Sequence, residues 1–182
     1  MQAAKTLDLR MASQPAKEYP KVPPNRRADV PCPIGRAIDV LGDRWILLIL
    51  RNATMGVTRF DGFRAGLGIA DNILSNRLAR LVDAGLLVRM PYRDHRRTRH
   101  EYRLTTAGAD TLDVLHALAG WGQEHTQPTR PTEPMRVIHR TCGNDLAPGG
   151  HCPACNLPVE RDEIAWIRPW RSPDPFPLAD PA

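Results

Sequence analysis

The residues with the clearest chemical character form a run of arginines near the middle of the chain. Between positions 89 and 103 six arginines stand against only Asp94 and Glu101, which gives a net charge of +4 where the whole chain carries +5. The six are Arg89, Arg93, Arg96, Arg97, Arg99 and Arg103. A planar guanidinium binds phosphate oxygens and can enter a narrow minor groove, where the negative potential of DNA is strongest. The run favours contact with double-stranded DNA, and an ordinary solvated loop is the alternative.

A second group of residues has the spacing of a metal site. His139 and Cys142 form one short pair, and Cys152 and Cys155 form another. Soft thiolates and an imidazole nitrogen in tetrahedral geometry select zinc, and a segment this small would draw its folding energy from the metal. The sequence predicts a zinc-ribbon-like module with structural zinc, and His151 is an alternative fourth ligand. A metal-free loop with incidental thiols is the other interpretation.

Cys32 lies apart from these cysteines, at the start of the first predicted helix. The positive end of a helix dipole favours the thiolate, which reacts with oxidants and electrophiles. Cys32 is therefore a candidate redox sensor, although most buried cysteines only pack. The chain shows no nucleophile with a base, acid–base pair or phosphate-binding loop, so we expect no enzymatic activity.

The distribution of proline sets the expected domain boundaries. Of 18 prolines, six lie at or before Pro33 and eleven at or after Pro128, with only Pro91 between them. A polar, proline-rich segment cannot bury enough surface to offset its ordering entropy. We therefore expect a mobile N-terminal segment over 1–30, a main domain over 31–126, a linker over 127–134, the zinc-ribbon-like module over 135–170 and a tail over 171–182.

Apolar spacing within the main domain predicts helices followed by a β-hairpin. Two short helices meet at Gly42, and a third begins at a capping-box pattern formed by Thr58 and Asp61. A fourth helix ends at Gly85, and a last helix starts at Thr105. Strands are predicted over 86–90 and 99–104. The fold class is mainly α with a small β-hairpin wing, a winged helix-turn-helix, plus the C-terminal module.

The fourth helix has a polar face opposite its leucines. Asparagine can pair bidentately with adenine and arginine with guanine, while serine and arginine can hold phosphates. The candidate DNA-binding residues on this face are Asn72, Ser75, Asn76, Arg77 and Arg80. An ordinary solvated helix face is the alternative.

The chain resembles the HxlR family of winged-helix regulators over about 32–125. The resemblance rests on CPIGRAIDVLGDRWILLILRN, RFDGFRAGLGIADNILSNRLARLVDAGLLVR, the wing, YRLTTAG and HALAGWGQEH in that order. It implies a DNA-binding homodimer formed by the first and last core helices, with a recognition helix over 71–84. It also implies that a cysteine near Cys32 can respond to quinones or hypochlorite. Ala70 and Asp71 depart from the family pattern, in which Ser or Thr is often followed by a small residue or Pro.

These observations predict a sequence-specific transcriptional regulator, most simply a repressor, that responds to a small-molecule effector or a redox signal. An adaptor that binds protein partners through the C-terminal module, with the winged helix as a scaffold, is the alternative. No run approaches 18 apolar residues and the N-terminus lacks the apolar core of a signal peptide, so we expect a cytoplasmic protein.

Overall fold

The computed structural model of the protein describes residues 32–94, 97–147 and 149–182. The predicted segment 1–30 and Arg96 lie outside them. The helices are α1 Pro33–Leu41, α2 Arg44–Thr54, α3 Phe60–Leu67, α4 Asp71–Asp83, α5 Thr106–Ala109 and α6 Leu112–His125. The strands are β1 Leu87–Asp94, β2 Arg97–Leu104, β3 Arg136–His139, β4 His151–Cys152, β5 Leu157–Pro158, β6 Ile164–Arg168 and β7 Ser172–Pro177. Within the described residues, no helix has the length and apolar character needed to span a bilayer.

The first core lies between α2, α3, α4 and the base of the hairpin. Residues at helical spacing on α2 and α4 point inward and are almost completely buried, and Phe63 of α3 fills the space between them. These buried residues are Ile46, Ile49, Leu50, Leu74, Leu78 and Leu81. Leu87 and Leu104 close the core from β1 and β2. The arrangement confirms the predicted winged helix-turn-helix.

Glycine ends two of these helices as predicted. Gly68 follows α3 with a φ of 61°, and Gly85 follows α4 with a φ of 68°. Side chains rarely adopt this left-handed conformation, which glycine reaches without strain. The backbone amide of Leu86 then donates to the carbonyl of Leu81, so the chain turns directly from α4 into β1.

The capping box predicted at Thr58 is wrong. The residue before α3 is Arg59, and no side chain caps the helix. Thr58 instead accepts a hydrogen bond on its carbonyl from the amide of Tyr102 at 2.7 Å, and Arg59 forms a β-bridge with Glu101. The segment before α3 is thus held by the edge of the hairpin, while the first amides of α3 have no side-chain cap.

The single last helix predicted from Thr105 is two helices. Thr105 caps α5, since its Oγ accepts from the amide of Gly108 at 3.1 Å. Gly108 packs so closely that a Cβ there would lie 2.0 Å from the carbonyl oxygen of Leu86. Thr111 then donates its hydroxyl to the carbonyl of Gly108 at 2.6 Å, and α6 begins one residue later. Close packing against Leu86 holds α5 in place, and α6 begins as a separate helix at Leu112.

The wing is longer than predicted. β1 and β2 pair antiparallel from Leu87 opposite Leu104 to Asp94 opposite Arg97. Polar residues therefore continue the ladder beyond the short apolar stretches visible in the sequence.

The C-terminal module contains a three-stranded sheet in the order β3-β6-β7 and the hairpin β4-β5. A second core joins it to the main domain, because Trp166 and Leu178 pack with Leu112 and Leu115 of α6. The predicted tail is wrong over much of its length. Residues 172–177 form β7, and the amides of Ala179 and Ala182 donate to the carbonyls of Thr54 and Leu104, each at 2.8 Å.

Candidate nucleic-acid interface and metal centre

The outward face of α4 is built from short polar side chains. Leu74, Leu78 and Leu81 hold the opposite face in the core, so the residues between them face away from it. Asn72, Ser75, Asn76, Ala79 and Arg80 are exposed, while Arg77 is half-buried. Small side chains allow a helix to approach base edges closely.

Hydrogen bonds within the helix leave donors available on this face. The amide oxygen of Asn72 accepts from the backbone of Ile73 at 2.9 Å, and that of Asn76 accepts from Arg77 at 2.8 Å. Within the described residues no hydrogen bond uses the NH2 group of Asn72 or Asn76, so both keep their donors for an outside acceptor.

Arg77 is bound to another part of the protein. Its Nε and Nη2 atoms each lie 2.8 Å from Oδ2 of Asp43, the residue that precedes α2. The other carboxylate oxygen of Asp43 accepts from the amides of Trp45 and Ile46. Although burial raises the pKa of Asp43, the hydrogen bonds from Arg77 and these amides outweigh burial and lower it. Arg77 therefore orients α4 against α2, a role that the sequence analysis did not anticipate.

Asp43 is a residue that the sequence analysis missed, although a signal was present. An aspartate directly before an apolar helical run is a typical N-cap. Its bond to Arg77, 34 residues later, has no signature in the sequence.

The start of α4 shows the weak cap expected from Ala70. Ala70, the residue before α4, makes no side-chain cap, and the amide of Ile73 donates instead to the side chain of Asn72 at 2.9 Å. Asp71 in the first turn lies 3.5 Å from Arg64 of α3. Arg64 thus partly balances the acidic side chain that would otherwise meet DNA phosphates at this end.

The arginines of the wing differ in their partners. Arg99 pairs with Asp61 at 3.2 Å and Asp94 at 3.0 Å, and Arg103 pairs with Glu101 at 2.8 Å. Arg89 lies 2.9 Å from a ring nitrogen of His100. Arg93 and Arg97 are exposed, and no carboxylate of the described residues pairs with either.

The two faces of the wing both carry positive charge. Residues directly opposite in an antiparallel pair share a face, so Arg93 lies with Thr98 on one face and Arg97 with Asp94 on the other. The end of the hairpin therefore presents cations in two directions.

Two helices carry exposed apolar side chains at the surface of the main domain. On α1, Ile34 and Ile38 are 69 and 61 % exposed, one helical turn apart. On α6, Trp121 is 61 % exposed, and Val114 and Leu118 are also exposed. Exposed apolar side chains at helical spacing mark a contact surface. Cys32 lies beside Ile34 at the N-cap of α1 and is exposed.

The four predicted metal ligands come together in the C-terminal module. Their ligand atoms all lie within 4.8 Å of one another. Nδ1 of His139 is 3.4 Å from Sγ of Cys142 and 3.5 Å from Sγ of Cys155, and the sulfurs of Cys142 and Cys152 are 3.5 Å apart. Ligands placed tetrahedrally at the usual zinc distances lie about 3.5–3.8 Å from one another. His151 is not part of this group.

Without a cation at their centre, the pKa values of two of the thiols shift in opposite directions. Hydrogen bonds from the side chain and backbone of Asn144 lower the pKa of Cys142 to about 6. Hydrogen bonds with Cys142 and Cys152 raise the pKa of Cys155 to about 11. Three adjacent sulfurs cannot all hold negative charge unless a cation lies between them.

The other ring nitrogen of His139 faces a carboxylate. His139 is buried, and its Nε2 has no hydrogen-bond partner and lies 3.7 Å from Oε1 of Glu163. A metal-binding histidine usually directs its second nitrogen at such a group, which fixes the ring. The donor set and this orientation fit a divalent metal bound through Nδ1.

Comparison with known proteins relates the chain to a family of regulators. The family model described as HxlR-like helix-turn-helix matches residues 40–130. The chain is 39 % identical over 144 residues to the uncharacterized HTH-type transcriptional regulator Rv3095 of Mycobacterium tuberculosis, covering 79 % of this chain and 85 % of that protein. It is 31 % identical to the uncharacterized HTH-type transcriptional regulator YvaP of Bacillus subtilis over 54 % of this chain and 92 % of that protein.

A solved structure shares the fold. The crystal structure of PA1607, described as a candidate transcription factor, superposes with a TM-score of 0.61 at 32 % identity, covering 76 % of this chain and 96 % of that chain. The match to Rv3095 covers 144 residues, whereas the family match ends at residue 130. The match to Rv3095 must therefore include part of the C-terminal region.

Proposed function

Because the chain belongs to the family of HxlR-like helix-turn-helix proteins, we propose that it represses transcription as a homodimer bound to a specific operator. Its relatives are named transcriptional regulators, and it is accordingly a DNA-binding regulator and not an enzyme. The observation that carries the proposal is that α4 exposes a polar face and that Arg93 and Arg97 of the wing pair with no carboxylate of the described residues.

In the proposed complex α4 lies in the major groove. Its 13 residues span about 20 Å, and its polar face carries Asn72, Ser75, Asn76 and Arg80. We assign base contacts to the two asparagines and phosphate contacts to Ser75 and Arg80. Arg77 is a positioning residue, since its guanidinium is occupied by Asp43.

The wing is proposed to contact the adjacent minor groove or the backbone. Arg93 and Arg97 are the strongest candidates because neither has to give up an ion pair with a carboxylate of the described residues. Arg99 would have to exchange Asp61 and Asp94 for phosphate, so its contribution is smaller. A DNA contact by Arg96 stays a prediction from the sequence.

We assign the dimer interface to α1 and α6. Ile34, Ile38, Leu118 and Trp121 would pass from water into a shared apolar contact. Burial of large apolar side chains is favourable by about 1.5–3 kcal/mol each when complete. Two-fold symmetry would then present two copies of α4 to successive major-groove segments.

We propose that His139, Cys142, Cys152 and Cys155 hold one structural zinc ion. Support comes from the donor set, the tetrahedral spacing and the orientation of His139 toward Glu163. When bound, the ion would supply charge that lets the three thiols ionise together. Four protein ligands would leave the ion no open position, as is typical of a structural site.

Footprinting on the DNA upstream of the protein's own gene tests the proposal. We expect protection of two half-sites about one helical turn apart, binding that weakens steeply with salt, and derepression of a promoter reporter when the gene is deleted. Asn76→Ala should change base preference at one position of each half-site, whereas Asp83→Ala, on the last turn of α4, should not. A lack of protection at low salt would contradict DNA binding, and an unchanged preferred site in Asn76→Ala would contradict the placement of α4.

A further inference from the structure

A cleft opens between the start of α3 and the side of the wing. Its volume is about 220 Å³, below the roughly 300–1,000 Å³ of sites for drug-sized ligands, so its size suits a molecule with a single ring. Three aromatic side chains line it: Phe60, Tyr92 and Tyr102. None of the three belongs to the proposed DNA contacts or to the metal centre.

Arg59 contributes a cation to this cleft. Its Cζ atom lies 4.7 Å from the centre of the Tyr92 ring, within the range of a cation–π contact. Within the part of the chain that the structure describes, no carboxylate or other acceptor binds its guanidinium. The N–H groups of a guanidinium bind the two oxygens of a carboxylate in pairs. Arg59 can therefore hold a carboxylate while the ring of Tyr92 supports it.

Arg99 brings a second cation to the same cleft. Tyr92 and Arg99 are directly opposite each other on β1 and β2, so they share a face of the wing. Arg99 pairs with Asp61 at 3.2 Å, and both residues line the cleft. Two arginines and one aspartate match a single negative charge better than a phosphate dianion, which Asp61 would repel.

Asp61 also connects the cleft to the recognition helix. Arg64 of α3 lies 3.5 Å from Asp61 and 3.5 Å from Asp71 in the first turn of α4. Ion pairs thus run from Asp71 through Arg64 and Asp61 to Arg99 on the wing. Exposed pairs of this kind contribute at most about 1 kcal/mol each, so a bound anion can rearrange them. An anion that draws Arg99 away from Asp61 would affect both elements that are proposed to contact DNA.

We propose that this cleft binds a small aromatic carboxylate that acts as the effector of the regulator. The carboxylate lies on Arg59, and the ring packs among Phe60, Tyr92 and Tyr102. This aromatic lining favours a ring-bearing ligand over a phosphate of the DNA backbone, which has no apolar surface to bury. The effector role rests on the proposed function, whereas binding of the carboxylate does not.

Calorimetric titration of the full chain with benzoate tests the site in the absence of DNA. We expect saturable binding. Acetate supplies the charge without the ring, and benzamide supplies the ring without the charge. Each should bind at least about tenfold more weakly than benzoate.

Variants of Arg59 test its contact with the carboxylate. Arg59→Gln should weaken benzoate binding by about tenfold, and Arg59→Lys, which keeps the charge but loses the paired donors, should fall between Arg59→Gln and the wild type. Arg103→Gln is the matched control, because Arg103 lies on β2 outside the cleft and pairs with Glu101 at 2.8 Å. It should leave the affinity within about twofold of the wild type. Since Arg59 is exposed, Arg59→Gln should melt at the wild-type temperature, which establishes that the variant folds.

Operator binding tests the effector role. Saturating benzoate should weaken the operator affinity of the wild type by about fivefold or more and leave that of Arg59→Gln unchanged. Absence of saturable benzoate binding, or equal binding by Arg59→Gln and the wild type, would overturn the site. An operator affinity that bound benzoate does not change would overturn the effector role. If Arg59→Gln lost operator affinity while benzoate bound to neither protein, Arg59 would be a DNA contact and the small-molecule site would be wrong.

Discussion

Arg77 holds Asp43 through two hydrogen bonds to a single carboxylate oxygen, each 2.8 Å long. Asp43 also caps α2, so one side chain fixes the start of that helix and the rotation of α4 about its axis. The orientation of the polar face of α4 is therefore fixed by a contact inside the protein before DNA binds. Preorganisation of this kind lowers the entropy cost of binding.

Replacing Asp43 should weaken both the fold and DNA binding. Asp43→Asn removes the charge that Arg77 neutralises and weakens the cap, so we expect a loss of about 1–2 kcal/mol in the free energy of unfolding. Urea unfolding measures it, with Asp83→Asn on the exposed side of α4 as the control. Because the folded-state pKa of Asp43 lies below its unfolded value, this contribution is present above about pH 4 and is lost as the pH falls through the lowered pKa. Equal stability of Asp43→Asn and the wild type at neutral pH would refute this role.

The two classes of wing arginine should behave differently. Arg97→Gln removes an unpaired cation, so DNA affinity should fall on all sequences alike, and the slope of log affinity against log salt should decrease by about 1 for each chain of the dimer. Arg103→Gln is the matched control, since Arg103 already pairs with Glu101 at 2.8 Å. Fluorescence anisotropy over a salt series measures both slopes. Identical slopes for the two variants would show that the free cations of the wing do not reach phosphate.

Substitution on α6 should separate the proposed dimer. Trp121→Glu places a charge at the centre of the α1 and α6 surface, and we expect the mass from light scattering to fall to that of one chain. DNA affinity should then drop by about tenfold or more, because the two half-sites are no longer linked. Leu157→Glu, which changes an equally exposed residue of the C-terminal module, is the control. A dimer that survives Trp121→Glu while Leu157→Glu disrupts it would place the interface in the module.

Loss of one thiol should remove the metal. Elemental analysis of the reduced protein should find one zinc ion per chain, and Cys152→Ser should lower that content and reduce the free energy of unfolding by about 3 kcal/mol or more. Cys32→Ser should keep both values, because Cys32 lies outside the cluster. Chelation by EDTA should reproduce the effect of Cys152→Ser on the wild type. Full stability after chelation, or metal-free protein purified under reducing conditions, would contradict a structural metal.

Docking of the C-terminal module should depend on pH through His116. Nε2 of His116 accepts from the indole of Trp166 at 2.8 Å, which requires the neutral ring. Burial lowers the pKa of His116; Asp113 raises it and Arg161 lowers it again. The unfolded chain therefore binds the proton more readily, so this contribution is complete above about pH 6.5 and declines as the pH falls toward the lowered pKa. The difference in urea stability between the wild type and His116→Gln should shrink below pH 6.5, and a constant difference would exclude the effect.

The winged helix could be predicted from the sequence because its signals are local. Leucines at helical spacing define the buried face of α4, and Gly85 marks its end through a conformation that few other residues adopt. The grouping of His139, Cys142, Cys152 and Cys155 could be predicted for the same reason, since two-residue spacing places both members of a pair in one turn. In each case neighbouring residues contain all the information.

The features that were missed depend on contacts between distant residues. Proline-rich residues 172–177 lack several backbone donors, yet they form β7 because an edge strand needs hydrogen bonds on only one side. The break before α6 follows from the close packing of Gly108 on Leu86. The pair of Asp43 with Arg77 joins positions that no local pattern relates.

The return of residues 172–182 to the main domain changes how fragments of this protein should be interpreted. Ala179 and Ala182 bond to Thr54 and Leu104, and Leu178 covers the same core as Leu112. A fragment that ends in the linker would expose this apolar surface and become prone to aggregation. If such a fragment failed to bind an operator, the cause would be the disrupted fold of the main domain. Single substitutions in the intact protein are therefore the better way to assign functions to the main domain and the C-terminal module.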